Sequence, residues 1–290
     1  IIKLMSSLGA GAGVVSIGEL KRALGANINP KKIIFEGVAK TNEDILYAIE
    51  KNIRMINIES TEELKKINSI AFSLNKVANV GIRINPNIDG KMLNKISTGK
   101  NTDKFGISIN STKDFTNYIK EAKNLKFIGI SCHIGSQIFD LNIFQKIFIY
   151  MKNMAHKFIE NGINIKHLDL GGGLGVQYKV SDPLLDLKKL NKLIKSNFND
   201  VPYSLSFEPG RYLVANAGVI ISRIINTKSN GGINYLITDA GMNTFLRPSL
   251  YNAEHKIEVV NSSSKYKINY TVAGPICESS DIILKNINLP

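Results

Sequence analysis

Ile165-Lys166-His167-Leu168-Asp169-Leu170-Gly171-Gly172-Gly173-Leu174-Gly175 is a β-rich apolar run that ends in a glycine triplet. A strand entering such a triplet must turn sharply there, because glycine reaches positive φ and lets other backbone come close. Backbone N–H groups at such a turn can cradle a phosphate. A plain strand-to-helix turn uses the same residues, so the motif alone leaves both readings open. Position 176 is Val, which breaks the dinucleotide-binding spacing. Working outward, similar short runs recur at 14–16, 33–35, 55–58, 80–84, 127–132 and 203–207. Amphipathic helices are predicted at 41–52, 61–74, 111–122 and 141–161, several opening on a Ser or Thr with acids in the first turn. Strands separated by helical crossovers form a parallel sheet.

A closed (β/α)8 barrel needs eight strand–helix units, and seven strands are visible, with 1–8 reading as a helix. The fold expected is a TIM-type barrel over 1–217 whose first strand lies ahead of Ile1. After Ala217 the rhythm changes. Runs at 218–227, 233–239, 257–260 and 268–272 read as strands without helices between them. They predict a mostly antiparallel, incomplete β domain over 218–290.

The chain has 290 residues, with 37 Lys and Arg against 24 Asp and Glu, hence a formal charge of +13. The cations are scattered, with no basic arm or aromatic strip, so nucleic acid is not an expected partner. A positive field of this kind does attract anionic small molecules. No apolar run approaches the roughly 20 residues of a membrane span. Two cysteines, Cys132 and Cys277, make no disulfide framework, which suits a reducing cytoplasm.

Functional residues of parallel barrels gather past the C-terminal ends of strands. Glu208-Pro209-Gly210-Arg211 places an acid and a base after one strand. The acid can meet a protonated ring nitrogen and the guanidinium a phosphate or carboxylate; a surface ion pair explains them equally. His133-Ile134-Gly135-Ser136-Gln137 follows another strand. His133 can stack on a flat ring or shuttle protons, although a lone strand-end histidine is more often structural. His156, His167 and His255 lack such context. Arg247 with Tyr251 can hold a carboxylate, and Cys277 beside Glu278 pairs a proton donor with an ammonium acceptor. A loop salt bridge and a half-buried thiol are the ordinary alternatives. No metal-ligand spacing or nucleophile elbow is present, so no metal is expected.

Taken in order, these blocks resemble the fold-type III pyridoxal-phosphate decarboxylases. The similarity runs from Ile1 to Pro290 and also takes in Val15-Ser16-Ile17-Gly18-Glu19-Leu20, Asn85-Pro86-Asn87, and Ile96-Ser97-Thr98-Gly99-Lys100 leading to Lys104-Phe105-Gly106. The resemblance implies pyridoxal 5'-phosphate as cofactor, its phosphate on Gly171, Gly172 and Gly173, with Gly210, Arg211 and Ser136 nearby. It further implies Glu208 on the ring nitrogen and His133 on the ring face. Arg211, Arg247 and Tyr251 would bind the far carboxylate of an amino-acid substrate, Glu278 its ammonium, and Cys277 would be the catalytic proton donor. Arg83 is placed near the ring. An acid together with arginines implies decarboxylation of meso-2,6-diaminopimelate to L-lysine. An arginine- or ornithine-type decarboxylase and a noncatalytic cofactor-binding homologue are the alternatives. A homodimer with shared active sites is implied as well. The family's cofactor-anchoring lysine falls before Ile1 and a site-closing tyrosine after Pro290, so the chain reads as an internal fragment, expected to be inactive alone. Lys40 and Lys104 belong to other family blocks and are not substitutes.

Overall fold

The computed structural model describes residues 1–88, 103–108, 112–179, 181–261 and 265–290. The sequence block 96–100 and Ser111 lie outside the described residues. The chain divides into two compact units, Ile1–Gly175 with Leu185–Leu213, and Val176–Leu184 with Val214–Pro290.

Among its described residues the first unit holds seven parallel strands in sequence order: β1 (Ala12–Val14), β2 (Ile33–Phe35), β3 (Met55–Ile58), β4 (Ala78–Arg83), β5 (Leu125–Ser131), β6 (His167–Gly172) and β7 (Ser204–Glu208). Each predicted strand overlaps one of these. The two edge strands curl toward each other: a Cβ on Gly13 of β1 would lie 2.6 Å from Oε1 of Glu208 on β7. The sheet is therefore a nearly closed barrel.

Among the described residues the helices of this unit are α1 (Ile2–Ser7), α2 (Ile17–Gly25), α3 (Asn42–Glu50), α4 (Thr61–Ser73), α5 (Thr112–Glu121), α6 (Leu141–Glu160) and α7 (Leu187–Phe198), and the short α8 (Gly210–Val214) ends it, with Val214 counted in the second unit. Helix α3 starts where the sequence says it should. Thr41 Oγ1 accepts from Asp44 N at 3.1 Å and Asp44 Oδ2 accepts from Thr41 N at 2.9 Å, a capping box with a shortened acid. Helix α4 is capped one residue earlier than expected, by Ser60 Oγ accepting from Glu63 N.

Strand alternation sets the two faces of the sheet. On β6, Leu168 and Leu170 join the main core with Phe148 and Phe158 of α6. His167 and Asp169 alternate with them in sequence and take the opposite, inner face. On β7 the inner face carries Ser204, Ser206 and Glu208. The inner face also holds a small apolar cluster, Ile34, Met55 and Ile128.

The second unit holds β8 (Ile224–Asn230), β9 (Ile233–Thr238), β10 (Ile268–Ala273) and β11 (Ile282–Leu289), in the order β11-β10-β9-β8. The β8–β9 and β10–β11 pairs are antiparallel, and β9–β10 is parallel. Gly231 and Gly232, at φ 57° and 79°, form the two-residue turn between β8 and β9 that only positive φ permits. Two expectations fail here. Residues 257–260 form no strand, because no neighbour pairs with them; Ile257 instead packs on the Leu236, Val272 and Leu289 cluster. A short helix, α9 (Arg247–Tyr251), also interrupts the strands, with Pro248 in its first turn where a missing N–H costs nothing. Among the described residues no helix is long and apolar enough to cross a membrane.

Candidate active site

The glycine turn ends β6 and is fixed by packing on both sides. Register places Gly172 opposite Glu208, and a Cβ at Gly172 would fall 1.9 Å from the Glu208 carbonyl oxygen. Gly171 and Gly173 sit at φ 65° and 86°, a region that favours glycine. A Cβ on Gly173 would fall 2.2 Å from the carbonyl oxygen of Gly135. Ile138 N donates to Gly173 O at 2.9 Å, so the loop carrying His133 and Ser136 runs beside the turn.

His133 is tied to the same turn, since Gly172 N donates to its Nδ1 at 3.1 Å. An Nδ1 that accepts carries no proton, so the imidazole is neutral with its proton on Nε2. Burial, helped by the Arg83 charge, pushes the His133 pKa down to about 4. The result is a fixed, flat, uncharged ring beside the glycine turn.

Three carboxyl groups converge next to it. Oxygens of Glu36, Asp169 and Glu208 all lie within 4.8 Å of one another. Burial, then repulsion from Asp169 and Glu36, raises the Glu208 pKa to about 9, against the pull of Arg83. Glu36 is raised to about 7, mainly by burial and then by Asp169. Asp169 is also raised by burial; its Oδ1 accepts from Gly171 N at 2.8 Å and its Oδ2 from Ser206 Oγ at 2.5 Å. Asn57 Nδ2 donates to Glu36 Oε1. By distance alone the triad could hold a divalent ion. The nearby guanidinium of Arg83 opposes a second full charge of that density, whereas a singly charged ring N–H suits an acid poised to ionise only when a cation arrives.

Arg83 ties the site to its surroundings. Its Nη1 lies 3.4 Å from Glu59 Oε1, its Nη2 donates to His133 O at 3.5 Å, and its guanidinium covers the Phe105 ring at 4.8 Å. Glu59 Oε2 in turn accepts from Gly106 N at 2.7 Å. The Lys104-Phe105-Gly106 block is thus a clamp over Arg83. Lys40 is buried and occupied by Glu63 Oε1 at 2.8 Å. Lys104 lies against the Phe105 ring.

The structure therefore brings His133, Ser136, Gly171, Gly172, Gly173 and Glu208 together in the first unit. Gly210 and Arg211 follow directly as the start of α8, Gly210 exposed and Arg211 half-buried. Glu36, Asn57, Glu59 and Asp169 were not singled out from sequence. Their signal was their position on the inner face or just past a strand, legible only once strand register is known.

In the second unit, Arg247 opens α9 with its guanidinium over the rings of Tyr178 and Tyr251, at 5.3 and 5.6 Å. Its Nε is buried with no hydrogen-bond partner, a donor that an incoming carboxylate would satisfy. Cys277 and Glu278 are exposed on the loop before β11. Asp281, buried, fixes that loop: Oδ1 accepts from Met242 N at 2.7 Å and Oδ2 from Ile276 N at 2.8 Å. Asp281→Ala orphans both donors and should cost about 3 kcal/mol in urea unfolding. It should also speed amide exchange over residues 274–281. Unchanged exchange there would show that Asp281 does not hold the loop.

The fold and site thus define a parallel-barrel class with a glycine turn, a neutral histidine and a cluster of three carboxyl groups at its strand ends. The family model described as pyridoxal-dependent decarboxylase, pyridoxal binding domain, matches residues 1–215. The chain belongs to that family. It is 39% identical over 283 residues to a diaminopimelate decarboxylase of Aquifex aeolicus, covering 98% of this chain and 67% of that protein. It is 40% identical to the Haemophilus influenzae diaminopimelate decarboxylase, covering 100% of this chain and 70% of that one. The crystal structure of a Helicobacter pylori diaminopimelate decarboxylase variant complexed with L-lysine superimposes with TM-score 0.93 at 39% identity, covering 100% of this chain and 72% of that chain.

Proposed function

We propose that the protein decarboxylates meso-2,6-diaminopimelate to L-lysine and carbon dioxide with pyridoxal 5'-phosphate as cofactor. The observation that carries the reading is Glu208, sunk among carboxyl groups beside a glycine turn and a neutral His133. When bound, the cofactor supplies an electron-withdrawing protonated ring next to the carbon that loses its carboxylate. Glu208 ionises against the ring N–H and keeps the proton there. His133 covers the ring face. Gly171 and Gly172 already donate their N–H groups inside the protein. The phosphate is therefore assigned to the Gly173 side of the turn, with Ser136, Gly210 and Arg211.

For the substrate, Arg211, Arg247 and Tyr251 receive the far carboxylate and Glu278 the far ammonium. Cys277 Sγ returns a proton to the carbon after carbon dioxide leaves. The orphan Nε of Arg247 supports the carboxylate assignment. We further infer a homodimer with shared sites, which the exposed Cys277 and the exposed apolar run Val219, Ile221 and Ile225 support. Two free thiols support a reducing, cytoplasmic setting.

The test is turnover by the protein made from its full reading frame. Lysine and carbon dioxide should form from meso-2,6-diaminopimelate, with no product from ornithine or arginine. Arg247→Gln should raise KM for diaminopimelate about tenfold or more, the loss of one charge-assisted contact. Turnover of ornithine but not diaminopimelate would overturn the substrate assignment.

A further inference from the structure

At the end of the first unit's sheet opposite the glycine turn lies a cavity of about 290 Å³. That volume sits at the lower edge of small-molecule sites, about 300–1,000 Å³. Its wall carries Lys31, Arg54, Lys126, Lys166, His167 and Ser204, and no carboxylate among the described residues. The sequence puts them there by a simple rule. Arg54 and Lys166 immediately precede β3 and β6, Lys126 is the second residue of β5, Ser204 opens β7, and Lys31 sits in the turn before β2. Parallel strands gather all their starts at one end, so these cations are brought together by topology.

Among the described residues these cations are not ion-paired, although Arg54 also acts on the Asp169 carboxyl of the inner face. Among the described residues none of Arg54, Lys126 and Lys166 has a salt bridge, and Lys31 Nζ meets only the neutral Asn52 Oδ1. Arg54 is held in place: its Nη1 donates to His167 Nδ1 at 3.1 Å, and Ser204 Oγ lies 2.8 Å from the same nitrogen. His167 is buried and donates its Nε2–H to Ser206 Oγ at 2.9 Å, which itself donates to Asp169. An accepting Nδ1 keeps this imidazole neutral, and burial with the Arg54 charge pushes its pKa down to about 4. The histidine therefore adds no fifth charge; it fixes the guanidinium with its remaining N–H groups free to bind.

We infer that this cavity is a binding site for a small multivalent oxyanion, of the phosphate or pyrophosphate class, separate from the cofactor site. Four cations around one concave wall, one of them immobilised, match the fork and point-charge geometry that recognises such groups. Lys126 and Lys166 are exposed, so exchanging them spares the core. Isothermal titration of the cofactor-loaded protein with inorganic pyrophosphate at low salt should show one saturable site per chain. Lys126→Gln with Lys166→Gln should weaken it at least tenfold, with melting temperature and cofactor content unchanged. Affinity should fall steeply as potassium chloride rises. Arg54→Gln should abolish binding; if it unfolds, the double lysine variant decides alone. Absence of saturation at tens of millimolar, or equal affinity in the double lysine variant, overturns the site. The latter result would place the anion elsewhere on the protein.

Discussion

Glu208→Gln should lower kcat by about 100- to 1,000-fold, the usual loss when one preorganised electrostatic partner is removed. Cofactor should still bind, because the glycine turn and His133 are untouched. The same variant has a second signature in the cofactor-free protein. Glu208 has its pKa raised from 4.5 to about 9 in the fold. An acid raised on folding contributes stability in full below its unfolded value and loses it as pH climbs through the folded one. Cofactor-free protein should therefore melt progressively lower from about pH 5 to pH 9, and Glu208→Gln should lessen that slope. Glu36, raised to about 7, contributes in the same direction and remains in the variant. The wild-type minus variant difference isolates Glu208 from the general effect of a +13 chain losing positive charge. Parallel melting curves would show that Glu208 is not held neutral. A kcat within fivefold of wild type would remove it from the ring nitrogen.

Gly172→Ala should be strongly destabilising. Its φ is ordinary, so strain at the residue itself is not the cause. The added carbon meets a carbonyl oxygen at 1.9 Å, and that oxygen belongs to a paired strand. Backbone on backbone cannot step aside, and overpacking of this severity costs roughly 3 kcal/mol or more. Urea unfolding without cofactor should show the loss. Gly210→Ala is the control, since nothing lies within 4 Å of its Cβ position. Equal stability of the two variants would mean that the turn shifts freely.

The parts of this architecture carried by local pattern were legible in the sequence. Thr41 and Asp44 announced their helix, and the glycine triplet and Glu208 announced two strand ends. What depended on register was hidden. Glu36, Asp169 and Glu208 are far apart in the chain and meet only because β1 to β7 align in order. His167 looked idle because its partners come from elsewhere in the sheet, Ser204 and Ser206 from the neighbouring β7 and Arg54 from the start of β3, three strands away. Residues 257–260 show the reverse error: β-branched and apolar, they match a strand locally but find no partner. The helix at Arg247–Tyr251 was missed because five residues with an internal proline carry no periodicity.

The glycine turn has an evolutionary corollary. Neighbouring backbone demands Gly171, Gly172 and Gly173 whether or not any ring is seated beside them. A lineage released from catalysis would still retain them, so long as it folds. Glu208 is the opposite kind of residue: its ionisation costs the empty protein, and no backbone contact demands an acid there. Under the role proposed for Glu208, retention of that acid among related genes would report selection for turnover, and retention of the triplet would not.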